Sequence, residues 1–135
     1  MEASEPVVRI ELESPPFDPE DLRLAVEEDL SARGVELVVT DPGAMRSLNR
    51  RWRHQDRVTD VLTFDLSADP CPGGPAGLIY VNGRVAPPLG EVLERVFHGL
   101  VHLEGLSHHT PKERERMEER TRELLGRALE RMSQC

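Results

Sequence analysis

No run of apolar residues in this sequence approaches the roughly 20 that a membrane-spanning helix requires. The opening residues, Met1-Glu2-Ala3-Ser4-Glu5-Pro6, are acidic and lack the basic and apolar regions of a signal peptide, so neither secretion nor membrane insertion is expected. Cysteine is nearly absent. Cys71 lies in a Pro/Gly segment and Cys135 is the final residue, too little for a disulfide scaffold and the wrong spacing for a cysteine-based zinc site. A reducing cytoplasm is the expected compartment. Lysine is rarer still, with Lys112 alone among 17 basic residues. Asn and Gln are also scarce (Asn49, Asn82, Gln55, Gln134), and biased genome composition accounts for both shortages without a functional meaning.

What is present fits one folded domain over residues 1–135. The chain of 135 residues is 38% hydrophobic and 31% charged, and a chain of this length buries roughly two-thirds of its unfolded surface, enough for a core without staples. The net charge of −8 argues against non-specific coating of nucleic acid. That charge is unevenly placed. Between Arg46 and Arg57 stand Arg46, Arg50, Arg51, Arg53 and Arg57 against Asp56 alone, a local charge of +4 that leaves −12 on the remainder. Such a patch suits selective contact with a phosphate-bearing partner; taken alone, it reads first as a solvated helix face serving acidic neighbours.

The pattern of elements is α+β, with about four strands in a small mixed sheet and about four helices. Residues 7–13 alternate apolar and polar as a first strand. Asp18-Pro19 opens a helix to about Ala32, Gly34 ends it, and 35–40 is a second strand. Asp41-Pro42 reads as an N-cap and first helical proline before a short helix to about Trp52. Residues 59–65 and 77–82 form two more strands around a Pro/Gly loop at 67–76. A helix from Leu89 to about Glu104 stops at Gly105, and the capping-box spacing of Thr110-Pro111-Lys112-Glu113 starts a last helix to about Met132.

Four of the five histidines fall within residues 98–109. His98 and His102, four apart on a helix, share a face one turn apart, the spacing at which two imidazoles hold one metal ion. Gly105 can turn the chain back so that His108 supplies a third ligand. Three histidines leave one position of a tetrahedral zinc site open for water, as catalytic sites do. A closed structural site would instead take a fourth ligand, from His109 or a cysteine.

Gly99 stands where an H-E-x-x-H protease carries its glutamate, which argues against peptide hydrolysis by that mechanism. Glu104 lies about 200° around the helix from His102 and is expected to be solvated, facing away from the metal. Glu91 and Glu94 precede His98 on its own face and read as helix-surface carboxylates, with a role in orienting a ligating ring as the alternative. Without a carboxylate base, an anionic substrate is attractive, and phosphodiesters fit because an arginine can stabilise their transition state.

His98-Gly99-Leu100-Val101-His102-Leu103-Glu104-Gly105-Leu106-Ser107-His108 resembles the H-G-x-x-H-L-x-G-Y-D-H signature of the YbeY family. Leu48-Asn49 through Arg53 to Thr59-Asp60-Val61-Leu62-Thr63-Phe64 is similar to that family's L-N-x-x-[FY]-R-x-x-x-x-P-T-[DN]-V-L-S-F block. The resemblance covers most of the chain. It implies a small zinc-dependent, single-strand-specific endoribonuclease acting in ribosomal RNA maturation, at the 3′ end of the small-subunit RNA, and in ribosome quality control. It implies one zinc ion per chain on His98, His102 and His108, a functional arginine at Arg53, and ribosomal RNA, the ribosome and its proteins as partners. Arg50 and Arg57 join Arg53 as candidate RNA contacts, and Thr59 and Asp60 are expected to be structural first.

The sequence also departs from the family pattern. Leu106-Ser107 replaces Tyr-Asp before the last ligand, Leu78 replaces the acid of a G-D-I strand motif, Val58 replaces a proline, and the connection before the signature helix is short. None of these removes a ligand or Arg53. The lost acids leave a second expectation standing, a non-catalytic, metal-stabilised assembly factor that binds ribosomal RNA or ribosomal protein without cutting.

Overall fold

A computed structural model describes residues 7–68, 74–106 and 109–134. In chain order the elements are β1 (Val8–Glu11), α1 (Pro19–Arg33), β2 (Val35–Thr40), α2 (Pro42–Arg53), β3 (Val61–Asp65), β4 (Gly77–Asn82), α3 (Pro88–Leu103) and α4 (Pro111–Ser133). The α+β expectation holds. The boundaries shift where pairing ends: β1 stops at Glu11, opposite Thr40 at the end of β2, and β3 starts at Val61, after Thr59 and Asp60.

Local chemistry sets the helix ends. The Asp18 and Asp41 carboxylates accept backbone N–H bonds from Glu20 and Ala44 at 2.9 and 2.8 Å, and Thr110 Oγ1 accepts from Glu113 N at 3.1 Å. Each cap is followed by proline at the first helical position, where no N–H is needed. Gly34 ends α1 and Gly105 follows α3, with φ of 67° and 95°, conformations that cost glycine little.

The sheet order is β1-β2-β4-β3, with β1, β2 and β4 parallel and β3 antiparallel to β4. Alternation along each strand divides the residues between two faces. Val35, Leu37, Val39, Ile79 and Val81 enter the main core, against Leu22, Val26 and Leu30 of α1 and Val96, Phe97 and Leu100 of α3. α4 packs across α1 and α3 and adds Met117, Leu124 and Ala128. α2 lies against β3 and β4, where Val38, Met45 and Leu62 are buried outside that main cluster.

Two features of this arrangement matter for function. β3 is an edge strand. α3 also lies unusually close to the sheet at Gly99, where a Cβ would stand 2.8 Å from Thr63 Cγ2 and 3.1 Å from Ile79 Cδ1.

Candidate active site

α3 brings His98 and His102 to the β3 side of the sheet. Their rings lie one turn apart, with centroids 4.8 Å apart and planes at 84°. Gly99, between them in the sequence, permits the contact with Thr63 that holds this face against β3.

Arg53 arrives from the other direction, as the last residue of α2. The helix ends there because His54 adopts the left-handed conformation, φ 58°, and its N–H bonds to Asn49 O. Asn49 is buried and holds the turn twice: its carbonyl also accepts from Gln55 N at 3.3 Å, and its Nδ2 donates to Arg57 O at 3.0 Å. Arg53 Nη2 then donates to Thr63 O at 2.7 Å, and its Cζ sits 5.2 Å from the Phe64 ring centroid.

Arg53, His98 and His102 line one cleft of about 270 Å3, together with Asn49, Thr59 and Thr63. An adjoining groove shares Arg53, Thr63 and His102 and runs on to Phe64, Asp65 and Leu66. Asp65 at its mouth accepts from Ser67 Oγ at 2.6 Å and Ser67 N at 3.0 Å, and these bonds hold its carboxyl below the usual carboxylate range.

The histidine pair fits a shared zinc-type ion in spacing and donor chemistry. Among the described residues no group of three His, Cys, Asp or Glu side chains is placed to hold a metal. The expected third ligand, His108, and Ser107 beside it lie outside the described residues, as do Cys71, Cys135 and residues 1–6. Gly105 and the Leu106 N–H bond to Val101 O at 3.4 Å turn the chain out of α3 just before them. His109, considered as a fourth ligand, is exposed.

The basic segment divides. Arg46 Nε pairs with Asp56 Oδ1 at 2.8 Å, which lowers the Asp56 pKa through the hydrogen bond first and the charge second. Arg57 Nε donates to Gln55 at 3.0 Å. Arg50 and Arg51 are exposed, with Arg51 Cζ 5.5 Å from the Trp52 ring centroid. Arg53 is the arginine of the segment that lines the histidine cleft. Thr59 Oγ1 bonds Val61 O at 3.4 Å, and Asp60 accepts from Asn82 N and Arg95 Nη2 at 2.9 and 3.4 Å, so both tie the start of β3 in place.

Glu104 is exposed and faces away from the cleft, as expected, and in addition it is held by two arginines. Arg120 grips it through two bonds of 3.0 Å and Arg33 through two, of 3.1 and 3.4 Å. Those arginines, Arg120 first, lower its pKa against the opposing effect of burial. Glu104 thus ties the end of α3 to α1 and α4. Glu91 pairs with Arg95 at 3.1 Å, while Glu94 lines a recess on α3 beside His98, with Glu118 and Thr121 of α4. Sequence reasoning missed Asn49 as the residue that shapes the turn after Arg53; its signal was a rare amide inside a polar, basic helix.

Comparison with known proteins bears on this site. A family described as "Endoribonuclease YbeY" matches residues 20–128. The Nitratiruptor protein of that name is 35% identical over 105 residues, covering 70% of this chain and 72% of the relative. The Myxococcus xanthus one is 36% identical over 113 residues, 75% of this chain, and this chain spans only 38% of its length. Among solved structures, the solution structure of TM1509 from Thermotoga maritima matches with a TM-score of 0.54 and 28% identity, covering 89% of this chain and 90% of that one.

Proposed function

This chain belongs to the YbeY endoribonuclease family, and on that premise we propose that it is a zinc-dependent enzyme cutting single-stranded ribosomal RNA in the cytoplasm, in rRNA maturation and ribosome quality control. The observation that carries the proposal is the meeting of Arg53 from α2 with His98 and His102 from α3 on one cleft at the β3 edge. His98, His102 and His108 are the residues that would hold one zinc ion. Bound there, zinc supplies Lewis acidity toward a phosphoryl oxygen.

The rest is the work of the chain's own side chains. A guanidinium is permanently charged and matches phosphate oxygens in a fork. One Arg53 donor is committed to Thr63 O, which fixes the group in position and leaves other N–H groups for the phosphodiester. Its charge acts most strongly on the transition state, where negative charge builds up. Arg50 and Arg57, from the same segment, add positive potential for flanking phosphates. An acidic body repels RNA at a distance, so docking through ribosomal protein fits as the source of selectivity.

The test is cleavage of a single-stranded oligoribonucleotide by the wild type and Arg53→Ala, with zinc measured by elemental analysis. Cleavage should fall by about 10²-fold or more in Arg53→Ala with zinc content unchanged. A wild type that carries zinc and cuts no single-stranded RNA overturns the proposal. A 2′,3′-cyclic phosphate on the product excludes direct attack by hydroxide and assigns the step to the RNA's own 2′-hydroxyl.

The non-cutting alternative gains nothing from Leu78. That side chain lines an apolar depression with Leu48, Trp52 and Tyr80 and is not among the residues that line the histidine cleft, so replacing an acid there takes no group from the cleft.

A further inference from the structure

The chain has only five aromatic residues, one Trp, one Tyr and three Phe. Three of them meet outside the main core, beside the cleft. Trp52 and Phe64 stand edge to face with centroids 6.4 Å apart at 73°, and Phe64 and Tyr80 repeat the arrangement at 6.0 Å and 87°. Trp52 is 57% exposed although it is the largest apolar side chain of the molecule. With Leu48, Leu66 and Leu78 the three rings line a depression of about 220 Å3 on the α2 face of the sheet.

This depression joins the site. Phe64 and Leu66 line both it and the groove that contains Arg53 and His102. Guanidinium groups lie over two of the rings, Arg53 at Phe64 and Arg51 at Trp52. An exposed tryptophan beside two half-buried rings, interleaved with arginines, is what a single-stranded polynucleotide recognises: bases stack on the rings while phosphates meet the cations.

We propose that Trp52, Phe64 and Tyr80 form a stacking platform for bases of the single-stranded RNA next to the phosphate held at Arg53. This rests on the endoribonuclease reading and deepens it. A base locked in a duplex cannot reach the platform, so the platform imposes a requirement for single strands. Stacking engages any base, so it does so with little sequence preference. The positive charge over the rings favours RNA over an apolar protein segment, which would gain nothing from Arg51 and Arg53.

Trp52 is the single tryptophan, so its emission reports on this surface alone. The experiment titrates the full chain with a short, end-labelled, single-stranded 2′-O-methyl oligoribonucleotide, following label anisotropy and Trp52 emission together. An abasic strand of equal length serves as control. The base-bearing strand should quench Trp52. Trp52→Ala should weaken its binding by roughly 5- to 100-fold, and Trp52→Phe should retain most of it. The abasic strand should bind wild type and Trp52→Ala equally weakly, and circular dichroism checks the fold of both variants.

Binding that Arg53→Ala abolishes, but that leaves Trp52 emission and Trp52→Ala affinity unchanged, overturns the platform while the RNA reading stands. No binding by anisotropy overturns both. Emission that responds to RNA-free ribosomal proteins and not to the oligonucleotide overturns the platform in favour of a protein surface. Self-association that Trp52→Ala disperses assigns the face to a second copy and overturns it as well.

Discussion

Gly99→Ala should do more damage than a single methyl group suggests. The added Cβ meets Thr63 Cγ2 at 2.8 Å and Ile79 Cγ2 at 3.2 Å. Both are β-branched carbons on strands, with little rotamer freedom to yield. Overpacking of this kind costs about 1–3 kcal/mol. Against it runs the gain of about 1 kcal/mol from replacing glycine by alanine within a helix. Gly126, exposed in the middle of α4 with nothing within 4 Å of the place a Cβ would occupy, isolates that gain. Propensity cancels between Gly99→Ala and Gly126→Ala, leaving the steric cost. At about 4 °C per kcal/mol for a domain of this size, the two variants should melt roughly 4–12 °C apart, with Gly126→Ala above the wild type. The clash also pushes α3 away from β3 and carries His98 and His102 from Arg53, so cleavage should fall in Gly99→Ala and hold in Gly126→Ala. Thermal unfolding by circular dichroism checks the first claim and the oligonucleotide assay the second. Gly99→Ala melting at or above Gly126→Ala would refute the reasoning.

Metal content should fall from about one zinc per chain to none in the His98→Ala/His102→Ala double variant, measured by elemental analysis on folded protein. Asn49→Ala removes the donor to Arg57 O and loosens the turn after Arg53; a loss of about 1–3 kcal/mol in denaturant unfolding is expected, with weaker cleavage. Glu104→Gln should lower stability near neutral pH. The Glu104 carboxyl titrates lower in the folded chain than in the unfolded one, so its contribution is full above the ordinary carboxylate range and is lost as the pH falls through the folded value. Melting temperatures of wild type and Glu104→Gln should therefore converge on acidification.

The features legible in the sequence were those whose causes are local. Asp41-Pro42 and Thr110-Pro111 marked helix starts because a cap is made within three residues, and His98 and His102 shared a face because helical spacing alone puts them there. What could not be read depended on the sheet order. β4 inserts between β2 and β3, and only that insertion sets Tyr80 beside Leu62 and brings Phe64 between Trp52 and Tyr80. The Glu104 clamp escaped for the same reason: its partners, Arg33 and Arg120, stand 71 and 16 residues away on two other helices. Arg53 was legible as a basic residue at a motif position, while its bond to Thr63 O required α2 and β3 in place.

That bond has a consequence for solubility. Asn82 N bonds Asp60 O, and Leu66 N bonds Ala76 O, in one register. Alternation along an antiparallel pair then turns the carbonyls of Val61 and Thr63 outward, onto the unpaired side of β3. Unpaired strand edges invite pairing with another chain and, from there, aggregation. Thr59 Oγ1 occupies the first of these carbonyls and Arg53 the second. The residue proposed to meet the phosphodiester therefore also closes a seam along which two copies could zip together. A variant that loses Arg53 gives up this guard with its chemistry, and light scattering should register the one as an activity assay registers the other.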